Sequence, residues 1–79
     1  MTIQEAVVQR INELCWSQKT TMYRLAETTG MPPSTIKSIL SGKSMNPGIV
    51  NLWRISVGLE ISIPEFFKSK IFEDLDEWK

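Results

Sequence analysis

The side chains able to do chemistry are few, and their types narrow the field at once. The 79 residues contain no histidine and a single cysteine, Cys15. No imidazole base, Cys–His nucleophile pair or histidine-based zinc site can be assembled from them. A lone cysteine forms no intramolecular disulfide and offers no metal pair, so Cys15 reads as a small buried hydrophobe. Carboxylates gather near the end as Glu73, Asp74, Asp76 and Glu77. Such a cluster does acid–base or metal work only inside a pocket, and a chain this short has little bulk to form one. It reads as a solvated charged end. No catalytic residue, metal site, cofactor or small-molecule ligand is expected.

What is left is hydrogen bonding. The stretch "GMPPSTIKSILSGKSMNP", residues 30–47, mixes hydroxyls and lysines with apolar residues. Two prolines open it, and a glycine and then Asn46-Pro47 close it. The net charge is zero, but its distribution is uneven. Residues 1–58 carry six bases and three acids, and residues 59–79 carry three bases and six acids. The first part is therefore +3 and the second −3. A basic face can persist on a neutral protein, because a partner responds to local potential.

The elements that must position these groups are helical throughout. In residues 3–17, Ile3, Val7, Ile11, Leu14 and Cys15 share one face, and Thr2 with Glu5 signals a capping box. Thr21 can cap a second, two-turn helix that turns Leu25 and Ala26 inward and stops at Gly30. A third runs from Pro33 to Leu40 with Ile36, Ile39 and Leu40 on its apolar side, and Gly42 ends it. Asn46-Pro47 predicts the start of a fourth, Asn as N-cap and Pro at the first helical position, with Ile49, Leu52, Ile55 and Leu59 as its stripe. Ser62-Ile63-Pro64-Glu65 predicts a second capping box opening a fifth helix, with Ile61 stapled against Phe66. Ile71, Phe72, Leu75 and Trp78 are spaced for a short sixth. The expected fold is all-α, a compact helical bundle. One domain spans 1–70, and an acidic, amphipathic tail spans 71–79. No run is apolar enough to span a membrane, and Met1-Thr2-Ile3-Gln4-Glu5 resembles neither a signal nor a transit peptide. A cytoplasmic location is expected.

Two short helices joined by a tight turn with glycine form the helix-turn-helix pattern. Ala26 is small where the helices would cross, Gly30 permits a positive φ at the turn, and Ile36 would plug the angle between them. The run "TMYRLAETTGMPPSTIKSILSGKSMNPGIVNLWRISVGLEISIPEFF" resembles the phage Cro/C1-repressor type (XRE-like) of helix-turn-helix family. The likeness covers about residues 3–67. It rests on Leu25-Ala26, Gly30, Ser34-Thr35-Ile36, Gly42-Lys43, Asn46-Pro47, Leu59 and Glu65-Phe66-Phe67 in order and spacing. It implies a five-helix bundle of the lambda-repressor type whose third helix enters the DNA major groove.

That resemblance implies base contacts from Pro33, Ser34, Lys37 and Ser38, with Lys able to donate to guanine O6 and N7 and Ser to several base edges. It implies phosphate contacts from Lys19, Arg24, Thr35, Ser41, Lys43, Ser44 and Asn46. The family usually opens its second helix with a glutamine that meets phosphate, where this chain has Met22. Ser or Thr often caps the third helix, where this chain has Pro32. Glycine often follows the fourth, where this chain has Glu60.

Helix four carries a second stripe, Val50, Trp53 and Val57. It must be covered either by the tail through Phe72, Leu75 and Trp78 or by another subunit. The second option makes Val50, Trp53, Val57 and Trp78 a dimer or partner surface. The implied function is a sequence-specific transcriptional regulator of the repressor sort that binds double-stranded DNA as a homodimer. The alternative is a protein-interaction module, antitoxin- or antirepressor-like, that keeps the fold with weak or no DNA binding.

Overall fold

The computed structural model describes residues 1–42 and 46–76. Five α-helices follow one another: α1 (Ile3–Ser17), α2 (Met22–Thr29), α3 (Pro33–Leu40), α4 (Ile49–Gly58) and α5 (Ile63–Phe67). A 3₁₀ turn, Lys70–Glu73, follows them. The described residues contain no strand, so the all-α expectation holds.

Local chemistry sets most of the boundaries. Thr2 and Glu5 form a full capping box at α1, the Thr2 hydroxyl accepting from Glu5 N–H at 3.1 Å and Glu5 Oε1 from Thr2 N–H at 2.8 Å. Thr21 and Ser62 cap α2 and α5 through Arg24 N–H and Glu65 N–H. At Ser62 only this half of the expected box is present. Helix α3 has no side-chain cap. Its first N–H is removed by Pro33, and the Pro32 carbonyl accepts from Thr35 and Ile36 N–H instead.

Both α1 and α4 end in a paired motif: Lys19 and Thr20 N–H donate to the Trp16 and Cys15 carbonyls, and Glu60 and Ile61 N–H to those of Val57 and Ser56. This Schellman geometry needs a left-handed residue, and Lys19 (φ 55°) and Glu60 (φ 59°) take it where glycine would be free of strain. Glu60 thus turns the chain as a glycine would.

One expected boundary is displaced. Helix α4 starts at Ile49 with Gly48 as N-cap, so Asn46 and Pro47 lie outside it. Asn46 Oδ1 accepts from Gly48 N–H at 3.3 Å, an Asx-type turn that competes with capping, and Gly48 sits at φ 85°, ψ 144°. Only glycine enters that region at low cost, and it resets the helix start two residues later than Asn-Pro suggests.

The core joins Val7, Ile11 and Leu14 of α1 to Leu25 and Ala26 of α2, Ile36 and Ile39 of α3, Leu52, Ile55 and Leu59 of α4, and Phe66 of α5. Ala6 and Met31 are buried too, although the helical stripes did not include them. Cys15 and Leu40 only flank the core, and Ile3 and Ile49 face solvent. Helices α2 and α4 cross closely: a Cβ on Gly58 would lie 2.6 Å from Thr29 Cγ2. Thr29 cannot yield easily, because its hydroxyl is tied to the Leu25 carbonyl at 2.7 Å.

Three polar clamps finish the packing. Arg10 donates from Nε to the Phe66 carbonyl at 2.7 Å and from Nη2 to that of Glu65 at 3.0 Å, satisfying the end of α5. Gln18 Nε2 donates to the Leu59 carbonyl and Gln4 Nε2 to that of Gly42, both at 2.7 Å. Where a sixth helix is expected, the residues described as far as 76 form only the 3₁₀ turn, whose Phe72 lies against Phe67 with ring centroids 5.0 Å apart. Asp76 N–H then donates to the Met1 carbonyl at 2.9 Å, which ties the tail to the start of α1.

Candidate nucleic-acid interface

Helix α3 stands on the core through Ile36 and Ile39, which fixes the face it turns outward. Pro33, Ser34, Lys37 and Ser41 are exposed on that face, and Ser38 is half-buried among them. Ser34, Lys37, Ser38 and Ser41 line one shallow groove together. Ser41 Oγ donates to the Ser38 carbonyl at 3.1 Å, leaving its oxygen able to accept. The structure thus brings Ser34, Lys37 and Ser38, three of the four expected base-reading positions, together with Ser41, while Pro33 is exposed at the start of the helix and lines a separate cleft. Thr35 sits half-buried on the flank. Small hydroxyl side chains with one long cation make this face low in profile, so a helix bearing it can approach base edges closely.

The turn before α3 matches its steric demands. Gly30 is left-handed at φ 70°, and its N–H donates to the Ala26 carbonyl at 3.0 Å. Helices α2 and α3, held at this turn by Leu25, Ala26, Met31 and Ile36, form the helix-turn-helix pair. The Helix-turn-helix family model matches residues 11–66.

The chain belongs to the helix-turn-helix family. Its members of the Cro/C1 (XRE) type are DNA-binding regulators, and this protein shares that coarse role. Among solved structures, it is similar to the crystal structure of the prophage Lp1 protein 11, at 28% identity and a TM-score of 0.81. That likeness covers 95% of this chain and 99% of the other. A search of curated proteins finds no match.

Around the pair, the helix-turn-helix protein distributes the remaining expected contacts unevenly. Lys19 and Arg24 are exposed at the two sides of the α2 start. Asn46 is exposed, its amide oxygen spent on Gly48 N–H and its amide nitrogen left to donate. Lys43 and Ser44 lie outside the described residues. Met22 is half-buried against the core, so the position of the usual phosphate-binding glutamine faces inward. Arg10 is consumed by the carbonyls of α5 and by Glu13 Oε1, which takes one cation out of the basic half.

One residue on this side escaped the sequence reading. Tyr23 is 70% exposed and shares a cleft with Pro32 and Pro33 at the entrance to α3. Its sequence signal is an aromatic that falls off the Leu25–Ala26 face of α2 and so has no core role. The Cys15 thiol is pushed up from its ordinary value by burial, which favours the inert protonated form. No helix among the described residues is long and apolar enough to cross a membrane.

Proposed function

We propose that this protein is a sequence-specific, phage-type transcriptional repressor. It lays α3 in the DNA major groove and reads with residues 33–41. The observation that carries this reading is the outward face of α3: Ser34, Lys37 and Ser38 set side by side, with Pro33 exposed at the start of a helix whose other side is buried. Lys37 supplies the one strong donor to a guanine edge, the serines accept or donate to either neighbour, and Pro33 offers apolar contact to a thymine methyl. Lys19, Arg24, Lys43, Ser41, Ser44 and Asn46 hold phosphates. Tyr23 joins them through its hydroxyl, in place of the inward-facing Met22. The working form is a homodimer, which places two α3 helices on half-sites ~34 Å apart. The prophage origin of its structural neighbour supports the phage-type assignment.

Selection of bound duplexes from a random library tests the reading, with enrichment of one two-fold symmetric site expected. Lys37→Ala with Ser38→Ala should weaken binding to that site by about 2–4 kcal/mol while the helical spectrum is kept. A double variant that binds normally overturns the assignment of the reading face. The four cations available per protomer limit the salt dependence of the homodimer to a slope of roughly −7 in log affinity against log salt.

The interaction-module alternative draws on a specific pair of observations: Arg10 and Met22 are both turned to structural use. A mobility shift on random duplex at low salt separates the two. No complex at ~10 µM protein, well inside the non-specific range, favours the module.

A further inference from the structure

The apolar face of α4 has no cover among the described residues. Ile49, Val50, Trp53 and Val57 are 66%, 58%, 56% and 54% exposed. The tail as far as residue 76 lies elsewhere, and Trp78 falls outside the described residues. Phe72 rests on Phe66 and Phe67, and Asp76 pairs with Met1 beside the start of α1.

The pattern of this face says what covers it. Ile49, Trp53 and Val57 stand at i, i+4 and i+8, one ridge of the helix surface, with Val50 beside Trp53. This ridge is its own complement. Turned about a two-fold axis through Trp53, Ile49 of one copy meets Val57 of the other, and Trp53 meets Trp53. Each outer pair lies ~6 Å along the helix from the centre. Ridges of this i±4 set interdigitate at a crossing angle near about −50°.

Area points the same way. Arg54, exposed beside Trp53, is the one charged side chain of α4 and borders the ridge, so the Ile49–Trp53–Val57 ridge itself is uncharged. The four exposed side chains offer roughly 500 Å² per copy, at the upper end of what a monomer leaves open and more than half of one partner's share of a stable interface. Ile3, also exposed, adjoins Ile49 across the groove they line with Asn46 and Pro47, and extends the rim.

We infer that α4 pairs with α4 of a second copy in an antiparallel, two-fold arrangement centred on Trp53. This rests on the homodimer reading and on the α4 stripe, and adds to them Ile49, the antiparallel register and the centre at Trp53. Sedimentation velocity of the full chain at ~100 µM tests it, since self-association follows mass action. The wild-type chain should sediment as a dimer. Val57→Glu buries two carboxylates against apolar partners and should weaken association by roughly 100-fold, with the helical spectrum unchanged. Ile49→Lys combined with Val57→Glu should restore the dimer, because the antiparallel register sets each lysine opposite the partner's glutamate.

A Val57→Glu variant that stays dimeric overturns the α4 surface while leaving the homodimer reading intact. A double variant that stays monomeric overturns the antiparallel register. A wild-type chain that is monomeric both free and on its selected duplex overturns the homodimer reading itself.

Discussion

Helices α3 and α4 are neighbours in the chain, and each shows solvent one face while the other is buried in the same core. Their outward faces are chemically opposite. That of α3 carries Pro33, Ser34, Lys37, Ser38 and Ser41, short and hydrogen-bonding apart from one lysine. That of α4 carries Ile49, Val50, Trp53 and Val57, mostly apolar, with Arg54 beside them as its one charged group. A face of the first kind loses little by staying in water and gains by meeting polar edges. A face of the second kind gains by leaving water. The contrast teaches that exposure alone does not name a partner; the chemistry of what is exposed does.

The largest effect should come from removing what the two faces share. Ile36 is fully buried beneath α3. Ile36→Ala should cost about 2–5 kcal/mol in chemical denaturation and weaken DNA binding and self-association together. A variant that lost only one of them would show that the faces are not supported by one core.

Next comes the separation of the faces. Lys37→Ala with Ser38→Ala should cost about 2–4 kcal/mol of specific binding in a titration on the selected duplex, from two lost base contacts. Its sedimentation should match the wild type. A shift in oligomeric state would mean that the polar face also serves association.

Tyr23→Phe sharpens the polar side further. Loss of one neutral hydroxyl contact should weaken binding by about 1 kcal/mol, evenly across duplex sequences. The salt slope should stay fixed, because a phenol displaces no counterion, whereas Arg24→Ala, lost from both protomers, should lower it by about two. An unchanged affinity for Tyr23→Phe would remove the tyrosine from the interface.

Glu60→Gly concerns both faces equally. Relieving the left-handed turn after α4 should raise stability by up to about 1 kcal/mol, read as an upward shift in the urea midpoint, with neither binding activity altered. A fall in stability would show that the Glu60 side chain contributes more than its backbone strain costs.

The smallest effect is a pH dependence. The Thr2 backbone N–H, and after it the Thr2 hydroxyl, hold the Glu5 carboxyl below its usual value. A carboxyl depressed in the folded state binds its proton later than in the unfolded chain. Its contribution is therefore present above the unfolded value and is lost as pH falls through the folded one. Glu5→Gln should flatten that part of the acid limb of a stability profile. An unaltered limb would remove the capping box from the acid response.

Much of the architecture was legible because it is local. The caps at Thr2, Thr21 and Ser62, the stop at Gly30 and the bounds of α3 depend on residues within one turn of each other. The outward face of α3 followed from the same source, since Ile36 and Ile39 leave Ser34, Lys37 and Ser38 on the other side. What was misread involved competition. Asn46 spends its side chain on Gly48, so α4 begins at Ile49, and Ile49 joins the outer ridge instead of the core stripe. Met31 sits in the turn, outside any helical period, yet is buried. The tail has apolar spacing suited to a helix, yet its described residues form only the 3₁₀ turn Lys70–Glu73, with Phe72 drawn onto Phe66 and Phe67.

By itself, the order of residues determined that this chain is all helical, where most helices begin and end, and that a short probe follows a tight turn. These depend on hydrogen bonds and sterics between close neighbours. Only the tertiary structure decided which cations remain free and which apolar stripe is left open among the described residues. Arg10 is taken by carbonyls 55 and 56 residues away, and the tail is held by Met1, 75 residues from Asp76. Such pairings follow from how the helices stack, and stacking is a property of all the buried surfaces at once.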